Sequence, residues 1–230
     1  MAIFTPGSVV GQISGRIGGS IYSHNRGGPY IRNGTIPVAV SSDAAVNQKA
    51  RLAMISADWR NLTDAQRLAW TTWAQANPQT NRLGHQTVLS GHMAYTGINS
   101  RLNLWGQTLL DVPPLGTAPD PLTALTADAD IGAGDVECTY APTPPAAGIA
   151  VELWACVVAS AGISYVENLY KWLLVTAAAA ASPVNYDTEI EERFGTLQVG
   201  MVVHVRARTV LLASGLVSGM RQDTVVVDTT

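Results

Sequence analysis

Cysteine, charge and histidine are all scarce in this chain, and each scarcity removes a class of chemistry. Only two cysteines, Cys138 and Cys156, occur in 230 residues. They have no CxxC spacing and no histidine at zinc-finger distance, so neither a disulfide framework nor a zinc site is expected. Two buried free thiols fit them best and agree with synthesis in a reducing cytoplasm. The four histidines His24, His85, His92 and His204 share no motif. GxSxG, HExxH and paired-carboxylate signatures are missing as well. The chain therefore reads as a non-enzyme, with no catalytic residue, cofactor or metal ligand to name. Long apolar runs are lacking, which excludes a spanning helix, and the first 25 residues have no basic segment followed by an apolar one. Neither a membrane segment nor a secretory signal is expected.

An apolar content of 47% can build a real core, in one large or two modest domains. Charge is distributed unevenly along the chain. Residues 1–120 carry nine Lys/Arg against five Asp/Glu, residues 121–230 five against twelve, and the first 41 hold no acid at all. A basic beginning on an acidic body favours docking to an acidic surface, including that of another copy. Three arginines scattered among glycines are too few for strong backbone binding to nucleic acid, which is disfavoured as a partner.

Residues 1–41 read as an extended arm. Eight glycines and three prolines before residue 41 exclude a helix. Short strands at Ser20–Ser23 and Pro29–Arg32 could close a hairpin through Asn25-Arg26-Gly27-Gly28. The stretch Ser14–Val38 is too glycine-rich to make a core of its own, so its apolar residues must lie on another surface. Arg16, Ile17, Ile21, Tyr22, Arg26, Tyr30, Ile31 and Arg32 are the candidate partner-binding residues. A phosphate-binding reading of its GRIGGS fails for want of a GxxxxGK[ST] order.

Residues 42–110 read as a small helical anchoring unit. Ser41-Ser42-Asp43 offers a cap, and Val46, Ala50, Ala53, Met54 and Ala57 continue at helical spacing, predicting a helix over 43–58. Thr63-Asp64-Ala65-Gln66 has the form of a capping box and opens a second helix over 64–76, which Pro78 ends. Tyr95, Ile98, Leu102 and Trp105 predict a third over 88–105, weakened by Gly91 and Gly97. The first two helices resemble a helix-turn-helix pair, but only Gln66, Arg67 and Gln75 offer base-reading groups, and the tryptophans point to packing instead.

A stiff linker follows at 111–121, with four prolines in DVPPLGTAPDP. Beyond it the period changes to alternation, and 122–230 reads as a β-sandwich. Strands are expected at Leu122–Ala127, Asp135–Tyr140, Ile149–Val158, Leu169–Val175, Met201–Val210 and Val217–Val227. In the third, either parity could face inward, and Trp154 is assigned to the core. Asp187–Phe194 predicts a surface helix with acids in its first turn. Asp187, Glu189, Glu191 and Glu192 lack the pattern of a calcium loop; they form a solvated acidic face that could receive the basic arm.

Two resemblances are carried by particular residues. Leu197–Ala207 followed by Ser214–Ser218 resembles the end of a fibronectin type III or immunoglobulin-like module, although Val199 and Val203 stand where proline and tyrosine are usual. Gly15–Arg32 and Trp59–Trp70, within a similarity over residues 10–105, resemble short proteins encoded in tailed bacteriophages and prophages. That resemblance implies a virion structural role, with the major capsid subunit or another virion protein as partner, in lattice-bound copies or a homo-oligomer. Capsid decoration is the first expectation, and a tail or head–tail connector position the second. A carbohydrate-binding module is the alternative of another class, with Trp154, Tyr165, Tyr170 and Trp172 as its platform. The expected fold class is α+β: extended arm, helical unit, then an all-β immunoglobulin/fibronectin-like sandwich.

Overall fold

A computed structural model describes residues 2–7, 10–36, 42–81, 83–132, 135–143, 145–163 and 165–229. Residues 37–41, the end of the expected arm together with Ser41 of the expected cap, lie outside them. The described chain is α+β, with four helices and several antiparallel sheets. It divides into two compact units, Met1–Asn103 with Leu109–Pro113, and Leu104–Thr108 with Pro114–Thr230.

The first unit begins with β1 (Ala2–Ile3), β2 (Gly15–Ile17), β3 (Ser20–Asn25) and β4 (Gly28–Asn33), an antiparallel sheet in the order β1-β4-β3-β2. This corrects the extended arm: the segment pairs with itself. Glycine and proline forbid a helix here, yet a backbone ladder needs no bulky side chains. The hairpin turns where expected, with the Asn25 side chain accepting from the Gly27 amide at 2.8 Å and Gly28 at φ 108°.

Next come α1 (Asp43–Asn61) and α2 (Asp64–Ala76), then a short ladder of β5 (Gln79–Thr80) and β6 (Gln86–Thr87), then α3 (Gly91–Leu104). Ser42 caps α1, and the helix runs past Trp59 because no stop signal precedes the next cap. The capping box of α2 is formed in both directions, the Gln66 amide donating to Thr63 Oγ1 at 3.3 Å and the Thr63 amide to Gln66 Oε1 at 2.8 Å. Aromatic rings make the core. Trp70 is edge-on to Tyr95 at 5.4 Å, and Trp59 meets the same tyrosine at 5.2 Å. Buried Asn99 exchanges hydrogen bonds with the Leu110 backbone, and Trp70 Nε1 donates to the Asp111 carbonyl. Residues 109–113 are thereby held to this unit.

Two glycines that look alike in the α3 sequence differ in their surroundings. A Cβ on Gly91 would lie 2.6 Å from Thr71 Oγ1 and 2.9 Å from the Thr71 amide nitrogen, whereas one on Gly97 would meet nothing within 4 Å.

The second unit contains β7 (Ala124–Asp130), β8 (Asp135–Ala141), β9 (Ile149–Val158), β10 (Lys171–Val175), β11 (Val184–Asn185), α4 (Asp187–Phe194), β12 (Val202–Leu211), β13 (Leu216–Val217) and β14 (Arg221–Val226). A three-stranded sheet runs β11-β8-β7, and a five-stranded one runs β10-β9-β12-β13 with β14 also on β12. Both sheets feed one core, in which Ala127, Val136 and Tyr140 from the first meet Leu153, Val205 and Ala207 from the second. The pattern missed β11, which is two residues long, and the last expected strand is broken into β13 and β14. Both cysteines are free and buried, and burial pushes the Cys138 thiol up to about 12.

Trp154 is a second correction. The parity of β9 that enters the core is Val151, Leu153 and Ala155, so Trp154 lies on the opposite face. Both parities look apolar because that outer face is covered too. Cys156 and Val158 are buried there with Val166, and Glu152 is 1% exposed. The Glu152 carboxylate accepts from Trp105 Nε1 at 2.9 Å and Trp172 Nε1 at 3.0 Å, while Arg208 donates twice to its other oxygen. Arg208 in turn lies over the Trp154 ring at 4.7 Å.

Glu152→Ala leaves Arg208 uncompensated and should cost about 3–5 kcal/mol in urea unfolding of the second unit, against about 1 kcal/mol for Trp105→Phe. In the first unit, Gly91→Ala should destabilise by about 1–3 kcal/mol, whereas Gly97→Ala should be neutral or stabilise by up to about 1 kcal/mol in the same measurement.

Candidate functional site

The register of the N-terminal sheet sorts the candidate partner-binding residues onto two faces. Arg16, Ile21 and Arg32 form one cross-strand row, next to the row of Ser23, Tyr30 and Ile3. Tyr22 and Ile31 share the opposite face, with Ile17 two residues along from Gly15 in the same parity. Phe4 packs edge-on to Tyr22 there, with centroids 6.2 Å apart. Arg26 sits in the exposed turn. One face is thus apolar with two arginines, and the other is aromatic and aliphatic.

Among the described residues of 3–36 none is fully buried: Ile21, Tyr22, Tyr30 and Ile31 are half-buried, and Ile17 is 68% exposed. At the hairpin end, Asn81 Nδ2 donates to the Gly27 carbonyl at 3.2 Å, tying the sheet to the segment that follows α2. In α1, Ile55 is the only buried residue, with Val46, Leu52 and Met54 all exposed. A sheet or helix normally buries one face against another layer.

Two of the three base-reading candidates of the helical pair are committed to the fold, whereas Gln75 is exposed. Gln66 closes the capping box, and Arg67 donates to the Trp59 and Arg60 carbonyls at the end of α1 while pairing with Asp64. In α4, Asp187 and Glu189 lie in the first turn and are half-buried, whereas Glu191 and Glu192 are exposed further along and Ile190 is buried.

A second candidate surface is a groove of about 490 Å³ on the outer face of the five-stranded sheet. Its floor is His204 and Arg206 of β12 beside Gln222 and Thr224 of β14, and Ile163, Tyr165, Val166, Glu167 and Tyr170 form its wall. The Arg206 guanidinium spans both oxygens of Glu167 and lies over the Tyr170 ring at 3.9 Å. Of the four aromatic platform candidates, Trp172 is bound to Glu152, Trp154 lies beneath Arg208, and Tyr170 lies beneath Arg206. Tyr165 presents its ring to solvent at 76% exposure. The Arg206–Glu167 pair was invisible in sequence because 39 residues separate its members.

His204 Nδ1 lies 2.9 Å from Thr224 Oγ1, and its Nε2 is buried without a hydrogen-bond partner. Burial lowers its pKa from the ordinary 6.5. Among the described residues no cluster of three or more metal-ligating side chains occurs.

No protein-family model matches the chain, and comparison with curated proteins finds no match.

The lowered His204 pKa has a definite sign. Below 6.5 the unfolded chain takes up a proton that the folded chain resists, so stability is present above that pH and falls as pH drops toward the folded value. Urea midpoints measured between pH 7.5 and 5 (about one unit beyond the ordinary histidine value on either side) should decline less for His204→Gln than for the parent.

Proposed function

We propose that the protein is a structural component of a tailed-phage virion, a capsid decoration protein that binds the shell through its N-terminal sheet and helical unit and presents the second unit. The observation that carries this reading is the four-stranded sheet, in which no described residue of 3–36 is fully buried and Ile17 is 68% exposed. Such a sheet gains little from its own burial, since isolated small sheets are marginal without a packed face. A partner surface covering Ile3, Ile21 and Tyr30 on one side, or Tyr22, Ile31 and Ile17 on the other, would supply that face. Arg16 and Arg32, flanking Ile21, favour a partner with acidic groups around an apolar centre. A subunit repeated over a shell meets this need many times over, and copies of the chain then stand in a lattice.

The phage-like stretches Gly15–Arg32 and Trp59–Trp70 support the same reading, since they coincide with the sheet and with the junction of α1 and α2. The strand order of the second unit supports an immunoglobulin/fibronectin type III-like domain. Its β7-β8-β11 sheet opposes β10-β9-β12 with β14 last on that side, the order in which such sandwiches arrange their strands. Helix α4 precedes β12 and contributes Ile190 to the core. The role is non-catalytic and the protein resides in the particle, after synthesis in the host cytoplasm.

The test is quantitative mass spectrometry of purified particles from the host that encodes the chain. The protein should be present at a copy number comparable to the major shell subunit, and Ile21→Asp combined with Arg32→Glu should reduce its incorporation at least about tenfold, the equivalent of about 1.4 kcal/mol. A few copies per particle would transfer it to the tail or connector. Its absence from particles would overturn the virion role, and full incorporation of the double variant would overturn the sheet as anchor.

A further inference from the structure

We propose that the groove on the outer face of the second unit is a binding site for a neutral saccharide. The argument rests on the side chains that meet there. Tyr165 offers an exposed ring on the rim, and a sugar ring stacks its apolar C–H face on such a surface. Trp154 and Trp172 are spent on internal contacts, so the platform is this tyrosine.

Hydrogen-bonding groups line the same groove. The Glu167 side chain is 58% exposed and shares the lining with exposed Gln222, whose Oε1 accepts from Arg206 at 3.4 Å and whose amide nitrogen remains as a donor, and exposed Thr224, whose hydroxyl lies 2.9 Å from His204 Nδ1. A carboxylate, an amide and a hydroxyl together both donate and accept, which suits vicinal hydroxyls. The Arg206 guanidinium grips Glu167 from below and is itself stacked on Tyr170, so the carboxylate is oriented before any ligand arrives.

Charge selects among ligand classes. Arg206 is offset by Glu167, and burial keeps His204 toward its neutral form, so the groove carries no net charge. The surrounding chain is acidic, with twelve Asp/Glu against five Lys/Arg over residues 121–230. Phosphate, sulfated or sialylated ligands and nucleic acid are therefore disfavoured, whereas a neutral hydroxyl-rich ligand meets no electrostatic penalty. The volume of about 490 Å³ falls within the range of small-ligand sites. This inference does not depend on the virion role, and either can fail without the other.

The full chain should be tested by ligand-observed saturation-transfer NMR with cellotriose, maltotriose and chitotriose as neutral probes, and sialyllactose as the charged one. At least one neutral probe should show transfer. Tyr165→Ala should weaken it by about tenfold, the loss expected for one stacked ring. Tyr165→Phe should retain binding, and Met220→Ala, an exposed change outside the groove lining, should leave it unaltered. Circular dichroism checks that each variant is folded. No transfer from any neutral probe, undiminished transfer in folded Tyr165→Ala, or preference for sialyllactose would each overturn the proposal.

Discussion

A carboxylate withdrawn from water has to be met by donors from whatever surrounds it, and in the second unit this requirement ties distant pieces of chain together. Glu152 stands on the outer face of β9 and is met by an indole from residues 104–108, an indole from β10 and a guanidinium from β12. Each donor is aimed by its own strand or segment, so satisfying one buried charge also sets how those pieces lie on the sheet. The consequence reaches further along the face: Arg208, held by Glu152, covers Trp154, and one register row on, Arg206 covers Tyr170 while holding Glu167. The groove is the end of this ladder of paired charges and stacked rings. Its rigidity comes from the same contacts that close the outer face.

The first unit obeys a different constraint. Its helices are joined through aromatic rings around Tyr95, and their caps are unusually complete for so short a segment, with Thr63, Gln66 and Arg67 all turned inward to backbone groups. Beside this well-satisfied centre, the N-terminal sheet leaves Ile21, Tyr22, Tyr30 and Ile31 only half-buried and Ile17 exposed, and α1 exposes Val46, Leu52 and Met54. Exposed apolar surface of this kind marks a place where another surface belongs. Both proposals follow from that contrast between units: one surface is incomplete and calls for a protein partner, and the other is complete and leaves a shaped groove.

The helices were legible because each had a local signal. Ser42, Thr63 with Gln66, and Pro78 act within a few residues of themselves, and α2 and α4 have the bounds their sequence implied. The hairpin at Asn25–Gly28 was legible for the same reason. The rest of its sheet was not, since β1 and β2 are two and three residues long and pair with segments of equally plain sequence. On β9 the alternation was unreadable because Trp105, Val166 and Tyr170 cover the face that would otherwise have been polar. Among the candidate site residues, the arm's eight were identified by type but not by face. Tyr165 was one of four aromatic candidates, and Glu167 lies two residues from it, whereas Arg206 and Gln222 come from β12 and β14, far along the chain.

By itself, then, the sequence determined the existence of the four helices and the bounds of α2 and α4, but not the end of α1 at Asn61 or the start of α3 at Gly91, together with the change from helical to alternating period after the proline-rich stretch and the split of charge between the two parts. These are properties of neighbours in the chain, governed by short-range sterics and capping. Tertiary structure decided which parity of β9 is core, that the glycine-rich beginning pairs with itself, and that a neutral, aromatic-rimmed groove exists. Each of these depends on partners brought together from tens of residues away, and no local preference can choose among such pairings before the chain has folded.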